Sequence, residues 1–403
     1  MKKVALVLSG GGFKGAFQVG ALQYLKENWT KIDSVNNTMK FDVVAGVSVG
    51  SLNGVLVASN KFDQLLELWN RIANNGVEEI FTSAFIDTKS TADTVQFKID
   101  FDTIKNLIPD VNIDQYSIWK KLGLIFSESK RRAFLNELLS TAKNDLTANF
   151  KALADNTPLK DKLTKLVSKS EIHDCIYKCG YVSLDDGNYY SFRHSDFPTD
   201  ADLVNGILAS TSMPIVWRPV PKVNTNTGQQ KNSVDGGIRN VSPLGDVIDE
   251  INSDPGNEEY LIVIINCSSG EITPSNFENK NIAQIALRSL NDIAITEIFN
   301  DDLAEFIDKN YILEQVEAVL PGKDIYDYNF QRKQRGKILR HFKSIIIQPI
   351  GDTLGDTLVA NKTLIDSRVA HGREMAEQAL NQFISDGDTF KFTITGENTS
   401  QRP

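Results

Sequence analysis

Four short apolar runs punctuate this chain: Val4 to Leu8, Phe41 to Ala45, Tyr260 to Asn266 and Ser344 to Pro349. Their apolar residues are contiguous, with little of the alternation a half-exposed strand shows. Each therefore reads as a strand buried on both faces, the pattern of a parallel sheet. Three of the runs have helix-periodic segments downstream: Ala16 to Glu27, Ser51 to Asn60 and Leu364 to Phe383. Strands alternating with helices predict an α/β architecture with helices on both faces of a parallel sheet. A hairpin is expected over Tyr181 to Phe192, where Asp186-Gly187 supplies the turn.

Between Asp63 and Ser170 the pattern changes to longer, charged, helix-periodic segments such as Leu65 to Ile72 and Arg131 to Leu146. Thr157-Pro158 marks a helix start before Leu159 to Val167. Residues 63–170 are thus read as a helical insertion or cap, and Asn281 to Val319 as a second helical stretch. Without an internal repeat or a low-complexity linker, one elaborated domain over residues 1–385 is favoured. Residues 386–403 are expected to hold a last strand and a disordered polar tail.

Composition narrows the class. The 403 residues are 41% hydrophobic and 24% charged, an ordinary soluble balance. No apolar run approaches the roughly 20 residues needed to span a bilayer. Met1-Lys2-Lys3 before an apolar run imitates a signal peptide, but the run is short and glycines follow it. The expectation is a cytoplasmic protein without a cleaved leader. Three cysteines cannot all pair, which argues against a disulfide-stapled fold. A net charge of -9 argues against general nucleic-acid binding. One stretch departs from this: Arg332, Lys333, Arg335, Lys337, Arg340 and Lys343 follow one another without an acid. It reads either as a solvated helix face, the commoner case, or as a peripheral contact with anionic lipid headgroups.

Candidate chemistry begins at Gly46-Val47-Ser48-Val49-Gly50, which joins the second apolar run to a helical pattern. Strand, Gly-x-Ser-x-Gly, then helix is the order a serine nucleophile elbow requires. The first strand ends in Ser9-Gly10-Gly11-Gly12-Phe13-Lys14-Gly15. A phosphate loop fails on spacing, because Lys14 precedes Gly15 and Ala16 follows. Gly10, Gly12 and Gly15 match a dinucleotide pattern, but no acidic residue ends a second strand at the required distance. The remaining use of a glycine turn beside a serine is an oxyanion hole, with backbone donors from Gly11, Gly12 and Val49.

A base is also needed. Of the four histidines, His173, His194, His341 and His371, the last fits the chain order of an α/β-hydrolase triad. His371 lies within a helical pattern, however, where a packed or surface histidine is the commoner reading. A carboxylate offers the other answer: Asp235 in Ser233-Val234-Asp235-Gly236-Gly237. By itself this is also a frequent Asp-Gly turn. His173, Cys175 and Cys179 give only three ligands at spacing unlike a zinc site, so no metal or cofactor is expected.

Four ordered blocks then coincide: Gly10 to Gly15, Gly46 to Gly50, Ala209-Ser210 to Met213-Pro214, and Asp235-Gly236-Gly237. In this the chain resembles the patatin-like phospholipase family over most of residues 1–245, and Gly351-Asp352-Thr353-Leu354 looks like bacterial members. The resemblance implies a three-layer α/β/α fold with a mainly parallel central sheet and a helical insertion. It also implies a lipid acyl hydrolase that uses a Ser–Asp dyad. By matching position Ser48 would be the nucleophile, Asp235 the base, and Gly10, Gly11 and Gly12 the oxyanion loop with Val49. Gly15, Gly46, Gly50, Gly236 and Gly237 are the motif glycines, and Lys14 stands where the family carries a basic residue. Met213 and Trp217 are candidates for an acyl pocket or for core packing. The implied partner is a lipid or phospholipid. A Ser-His-Asp esterase and a catalytically silent lipid-binding protein are the competing readings.

Overall fold

The computed structural model describes residues 3–83, 85–96, 152–254, 258–278, 280, 282–329, 333–386 and 393–394. In chain order the elements that position the site begin with β1 (Lys3–Leu8), α1 (Ala16–Glu27), β2 (Val43–Val47), α2 (Val49–Ala58) and α3 (Phe62–Asn75). They continue with α4 (Thr157–Leu166), β3 (Ile176–Ser183), β4 (Tyr189–Arg193), α5 (Asp200–Ser210), β5 (Val220–Thr225), β6 (Gly228–Asp235) and α6 (Leu244–Ser253). The last group is β7 (Tyr260–Ile265), α7 (Ile282–Leu287), α8 (Ile295–Val319), β8 (Ile325–Asn329), β9 (Gln334–Leu339), β10 (Lys343–Ile347), α9 (Lys362–Asp386) and β11 (Thr393–Ile394). A π-helical turn, Arg288–Ala294, joins α7 to α8.

The main sheet runs β11-β10-β7-β1-β2-β3-β6-β5, with β4 on β3. Every pairing from β11 to β3 is parallel; β4, β6 and β5 pair antiparallel. The four continuous apolar runs are β1, β2, β7 and β10, and their side chains divide between the sheet faces with period two. Val4, Leu6, Leu8, Leu261, Val263 and Ile265 join one core with α1, α2, α3, α4, α5 and α9. Ala5, Val7, Ile262, Ile264 and Ile346 join the other with α6 and α8. Helices therefore cover both faces, and the three-layer α/β/α fold with a mainly parallel sheet is realised.

The hairpin expected at Tyr181 to Phe192 is present, with Val182 opposite Tyr189 and Gly187 at φ 70°. Its first strand is longer than the pattern suggests, because Ile176 to Gly180 also pairs parallel with β2. Lys178 hides this strand in the sequence. It is buried there beside Glu250, 3.1 Å from Nζ to Oε1.

The expected insertion is rooted more narrowly than residues 63–170. Leu65, Leu68, Trp69 and Ile72 of α3 and Leu159 and Leu163 of α4 belong to the main core. Paired backbone bonds between Thr82 and Asp155, at 2.9 and 2.8 Å, close the neck of the excursion. The predicted segment Arg131 to Leu146 lies outside the described residues. So does the tail from Gly396, whereas the expected last strand is present as β11 beside β10.

The basic stretch is not a helix face. β8 and β9 form a separate two-stranded antiparallel sheet carrying Arg335 and Lys337, and Lys333 leads into it at φ 51°. Ile325, Tyr326, Tyr328 and Ile338 favour extended backbone, which overrides the helical reading. Arg335 lies over the Tyr326 ring, 3.0 Å from its centroid, and Lys337 is ion-paired with Asp249. Arg340 follows the hairpin and is exposed. Arg332 lies outside the described residues.

Candidate active site

β1 and β2 are parallel neighbours with Leu8 opposite Gly46, so the glycine loop and the Ser48 turn leave the sheet side by side. Crevices at the carboxyl ends of parallel strands are where α/β folds place their sites. Ser48 connects β2 directly to α2 and takes φ 56°, ψ -129°. For a residue with a side chain this conformation costs on the order of 1–3 kcal/mol and persists only where the surroundings enforce it. The flanking glycines are part of that enforcement. A Cβ on Gly46 would lie 2.2 Å from the Gly50 carbonyl oxygen, and one on Gly50 would lie 2.2 Å from that of Leu8.

Asp235 reaches the same place from the opposite direction. Lys178 to Gly180 pair with both β2 and β4, and Tyr181 and Val182 with both β4 and β6. Since β4 occupies one edge of β3, β2 and β6 must share the other. They run head to head along it: Val47 is opposite Gly180 and Asp235 opposite Tyr181. Gly236 permits the approach, because a Cβ there would sit 2.5 Å from the Gly180 carbonyl oxygen. The Ser48 elbow and Asp235 are thus adjacent although 187 positions separate them in the sequence.

The Asp235 carboxyl is 4% exposed and accepts the Gly237 N–H at 2.8 Å, and the Ser48 hydroxyl lies near enough to favour its ionised form. Burial pushes its pKa up from 3.8 to about 7, while the Gly237 N–H and the nearby Ser48 hydroxyl hold the anion against that rise. No salt-bridging cation stands beside it among the described residues. The carboxyl therefore changes charge near neutral pH rather than at the ordinary acid value.

The Ala209-Ser210 to Pro214 block supports both side chains. Ser210 Oγ accepts the Ser48 N–H at 3.0 Å, and the Ser212 carbonyl accepts the Asp235 N–H at 2.9 Å. In the sequence these serines are legible only as part of a spaced block; their hydrogen-bonding roles follow from the packing of α5 against β3 and β6.

The glycine loop lies against Ser48: a Cβ on Gly10 would be 3.3 Å from Ser48 Cβ. Gly10 itself cannot serve as an oxyanion donor in this arrangement, because its N–H is donated to the Val241 carbonyl at 3.0 Å. The N–H groups of Gly11, Gly12 and Val49 have no backbone or side-chain acceptor among the described residues. The loop is pinned at both ends by a buried chain of amides. Gln18 Nε2 donates to the Ser9 carbonyl at 2.9 Å, and Asn53 Nδ2 donates to the Gly15 carbonyl at 3.2 Å and to Gln18 Oε1 at 2.9 Å. Trp69 Nε1 in turn donates to Asn53 Oδ1 at 2.9 Å.

Other sequence candidates fall less centrally. Lys14 Nζ stands 3.7 Å from Asp352. Met213 and Trp217 are buried, and Trp217 continues an aromatic row from the glycine loop: Phe13 to Phe81 at 6.3 Å, Phe81 to Trp217 at 5.7 Å. Ile215, between them, is exposed and held at φ 75°, a conformation rare for a β-branched residue. His371 sits at the crossing of α9 and α1, 5.6 Å from the Phe17 ring, and its Nε2 accepts the Ile350 N–H at 3.3 Å. Burial pushes the His371 pKa down. The ionisable side chain beside the Ser48 hydroxyl is Asp235 instead. His173 is exposed and Cys179 buried, and no cluster of metal-ligating side chains occurs among the described residues.

A family model described as patatin-like phospholipase matches residues 6–248, more than half of the chain. The chain belongs to the patatin-like phospholipase family. A curated relative, an uncharacterized protein of Acanthamoeba polyphaga mimivirus, is 26% identical over 171 residues, 41% of this chain and 46% of the relative. The match thus spans about half of that protein's length. Among solved structures, VipD from Legionella pneumophila is similar at 15% identity and a TM-score of 0.37, covering 94% of this chain and 67% of VipD. ExoU, in its complex with SpcU from the type III secretion system of Pseudomonas aeruginosa, is similar at 15% identity and a TM-score of 0.33. That likeness covers 95% of this chain and 52% of ExoU.

Proposed function

We propose that this chain is a lipid acyl hydrolase that cleaves fatty-acyl esters of phospholipids or related lipids through a Ser48–Asp235 dyad. The observation that carries the reading is the buried Asp235 carboxyl lying beside a serine held at a strained elbow. Family membership supplies the substrate class, a lipid ester.

The steps follow from the geometry. Ser48 Oγ attacks the ester carbonyl and its proton passes to Asp235. The carbonyl oxygen becomes an alkoxide, for which the Gly11, Gly12 and Val49 amides are the candidate donors; α2, which starts at Val49, adds the positive end of its dipole. Collapse expels the alcohol, which takes the proton from Asp235, and leaves an acyl-Ser48 ester. Asp235 then deprotonates a water that attacks this ester, and the fatty acid leaves as Ser48 is restored. A carboxyl near pH 7 can both accept and return the proton, which an Asp titrating at its ordinary value does poorly.

In this reading Met213 and Trp217 line the acyl side of the site, Lys14 faces the substrate entrance, and the β8–β9 hairpin with its Lys333, Arg335 and Lys337 makes peripheral contact with anionic membranes. Two variants separate the dyad from a histidine triad. Asp235→Asn should abolish esterase turnover and fluorophosphonate labelling of Ser48, while His371→Ala keeps both within a few-fold. Full turnover in Asp235→Asn with none in His371→Ala would reverse the assignment. Folded wild-type protein that never labels at Ser48 would make the chain a silent lipid binder. Lipid profiles of cells expressing wild type against Ser48→Ala identify the head group.

A further inference from the structure

The glycine loop is held from one more side, by residues well beyond the segment the family model matches. Phe13 donates its N–H to the Thr357 carbonyl at 2.9 Å, and a Cβ on Gly12 would fall 2.6 Å from that same oxygen. Gly12 itself takes φ 54°, so the loop fits Thr357 only with glycine at that position. Thr357 belongs to an irregular segment, Leu354 to Val359, that lacks a ladder of its own. Beyond the bonds Asp356 accepts from the Leu358 N–H at 2.9 Å and the Val95 N–H at 3.0 Å, one side chain gathers the segment's carbonyls. Arg368, on α9 and 1% exposed, donates from Nε to the Leu354 carbonyl at 2.7 Å, from Nη1 to Val359 at 2.8 Å and from Nη2 to Asp356 at 2.7 Å.

A buried guanidinium is expensive unless its donors are satisfied, and among the described residues Arg368 has no salt-bridge partner. Burial lowers its pKa only to about 10, so it stays charged at neutral pH. A leucine or methionine could fill the same space at lower cost. Three carbonyls converging from one turn require instead a planar fork of donors, which among side chains only arginine offers.

The opposite wall of the loop has a related device. The Val241 carbonyl that receives the Gly10 N–H lies on a turn whose Val241 and Ser242 N–H groups favour the ionised form of Asp302 on α8. Both α8 and α9 lie outside residues 6–248.

We propose that Arg368 is a positioning residue for the oxyanion loop: by gathering the carbonyls of Leu354, Asp356 and Val359 it seats Thr357 against Gly12 and Phe13. The direction of the Gly11 and Gly12 N–H groups is thereby set. This role rests on the dyad reading above, in which those amides meet the developing alkoxide. Arg368 touches neither Ser48 nor Asp235, so it acts through the loop.

The test uses Arg368→Lys, which keeps the charge but cannot fork to three carbonyls, and Arg368→Met, which removes both. Turnover of a short-chain nitrophenyl ester and the rate of fluorophosphonate labelling should fall about 10²-fold in Arg368→Lys, the scale of a misplacement near 1 Å. KM should stay within about threefold, and the pH midpoint should remain that of wild type, because the burial of Asp235 is untouched. Hydrogen exchange at the Phe13 amide should accelerate while amides of β7 keep their protection. Wild-type turnover in both folded variants would overturn the proposal. So would a loss accompanied by a shifted pH midpoint and uniformly faster exchange, which would mark general loosening. If wild-type protein itself fails to label, the dyad reading falls, and unchanged Phe13 exchange in the variants would independently overturn the clamp.

Discussion

Ser48 and Asp235 both stand at strand ends within residues 6–248, whereas the chain from Tyr260 to Asp386 contributes no group to the dyad and yet flanks the glycine loop. The first region carries reactive side chains in costly settings: a serine at positive φ and a carboxyl buried without a cation. The second carries scaffolding: β7 and β10 with mostly apolar, buried side chains, and Arg368 with all three donor nitrogens engaged. The same contrast separates two buried acids on either side of β3. Glu250 is neutralised by Lys178 and Arg193, which suits a structural pair, while Asp235 faces a hydroxyl and an amide, which suits a proton acceptor. A strained serine and a sparsely partnered acid coincide where chemistry is proposed, and the energy that holds them comes from elsewhere in the fold.

The strongest way to break this contrast is to remove the acid. Asp235→Asn should lower ester turnover by about 10⁴-fold or more, the scale seen when a member of a nucleophile–base pair is lost. Steady-state kinetics on a soluble ester checks it, and turnover within tenfold of wild type would remove Asp235 from the reactive region.

The same variant should gain stability. An acid whose folded pKa is about 7 and whose unfolded value is 3.8 binds its proton more tightly when folded. Stability therefore falls as pH rises from about 4 to about 7, and by pH 8 the loss reaches as much as about 4 kcal/mol. Asn carries no such penalty. Urea denaturation should show Asp235→Asn above wild type at pH 8, with the advantage gone near pH 4. A gap independent of pH would mean that the carboxyl is not desolvated. Activity runs the other way in wild type, rising through about pH 7 as the base loses its proton.

Gly12→Ala sharpens the contrast at its boundary. The added methyl meets Thr357, so either the loop or the Leu354–Val359 segment must move. A loss of about 10²–10³ in kcat is expected, the cost of one misdirected oxyanion donor. The smallest effect belongs to the basic hairpin. Neutralising Lys333, Arg335 and Lys337 should leave turnover of a soluble ester within about twofold. Binding to vesicles containing anionic phospholipid should weaken, and wild-type binding should fall as salt rises. Salt-independent binding would return those residues to an ordinary solvated surface.

Much of the sheet was legible because β1, β2, β7 and β10 are buried on both faces and so spell continuous apolar runs. The elbow was legible because its glycines are forced by close backbone approach, a requirement that leaves a mark in the letters themselves. β3 was only half visible, since Lys178 and Gly180 interrupt its run and are explained by Glu250 and by the approach of Tyr189. β6 was visible only at its end, because Gly228 to Asn232 are polar and mostly exposed on a hairpin. The basic stretch was misread as helical: its charge was plain, but the strand-forming tyrosines and isoleucines decide its backbone.

By itself, then, the sequence determined which residues are candidates for the proposed chemistry: a serine that must turn sharply, an aspartate before two glycines, and a loop with little room for side chains. Those are local demands, written wherever backbone crowding excludes a Cβ. The tertiary structure alone decided that β2 and β6 meet head to head on one edge of β3, which brings Ser48 to Asp235. It also decided that the Gly10 N–H is already taken by Val241, and that Thr357 and Arg368 close the glycine loop from a distant part of the chain. Contacts of that kind join residues hundreds of positions apart through carbonyl oxygens, which every residue carries and no sequence pattern distinguishes.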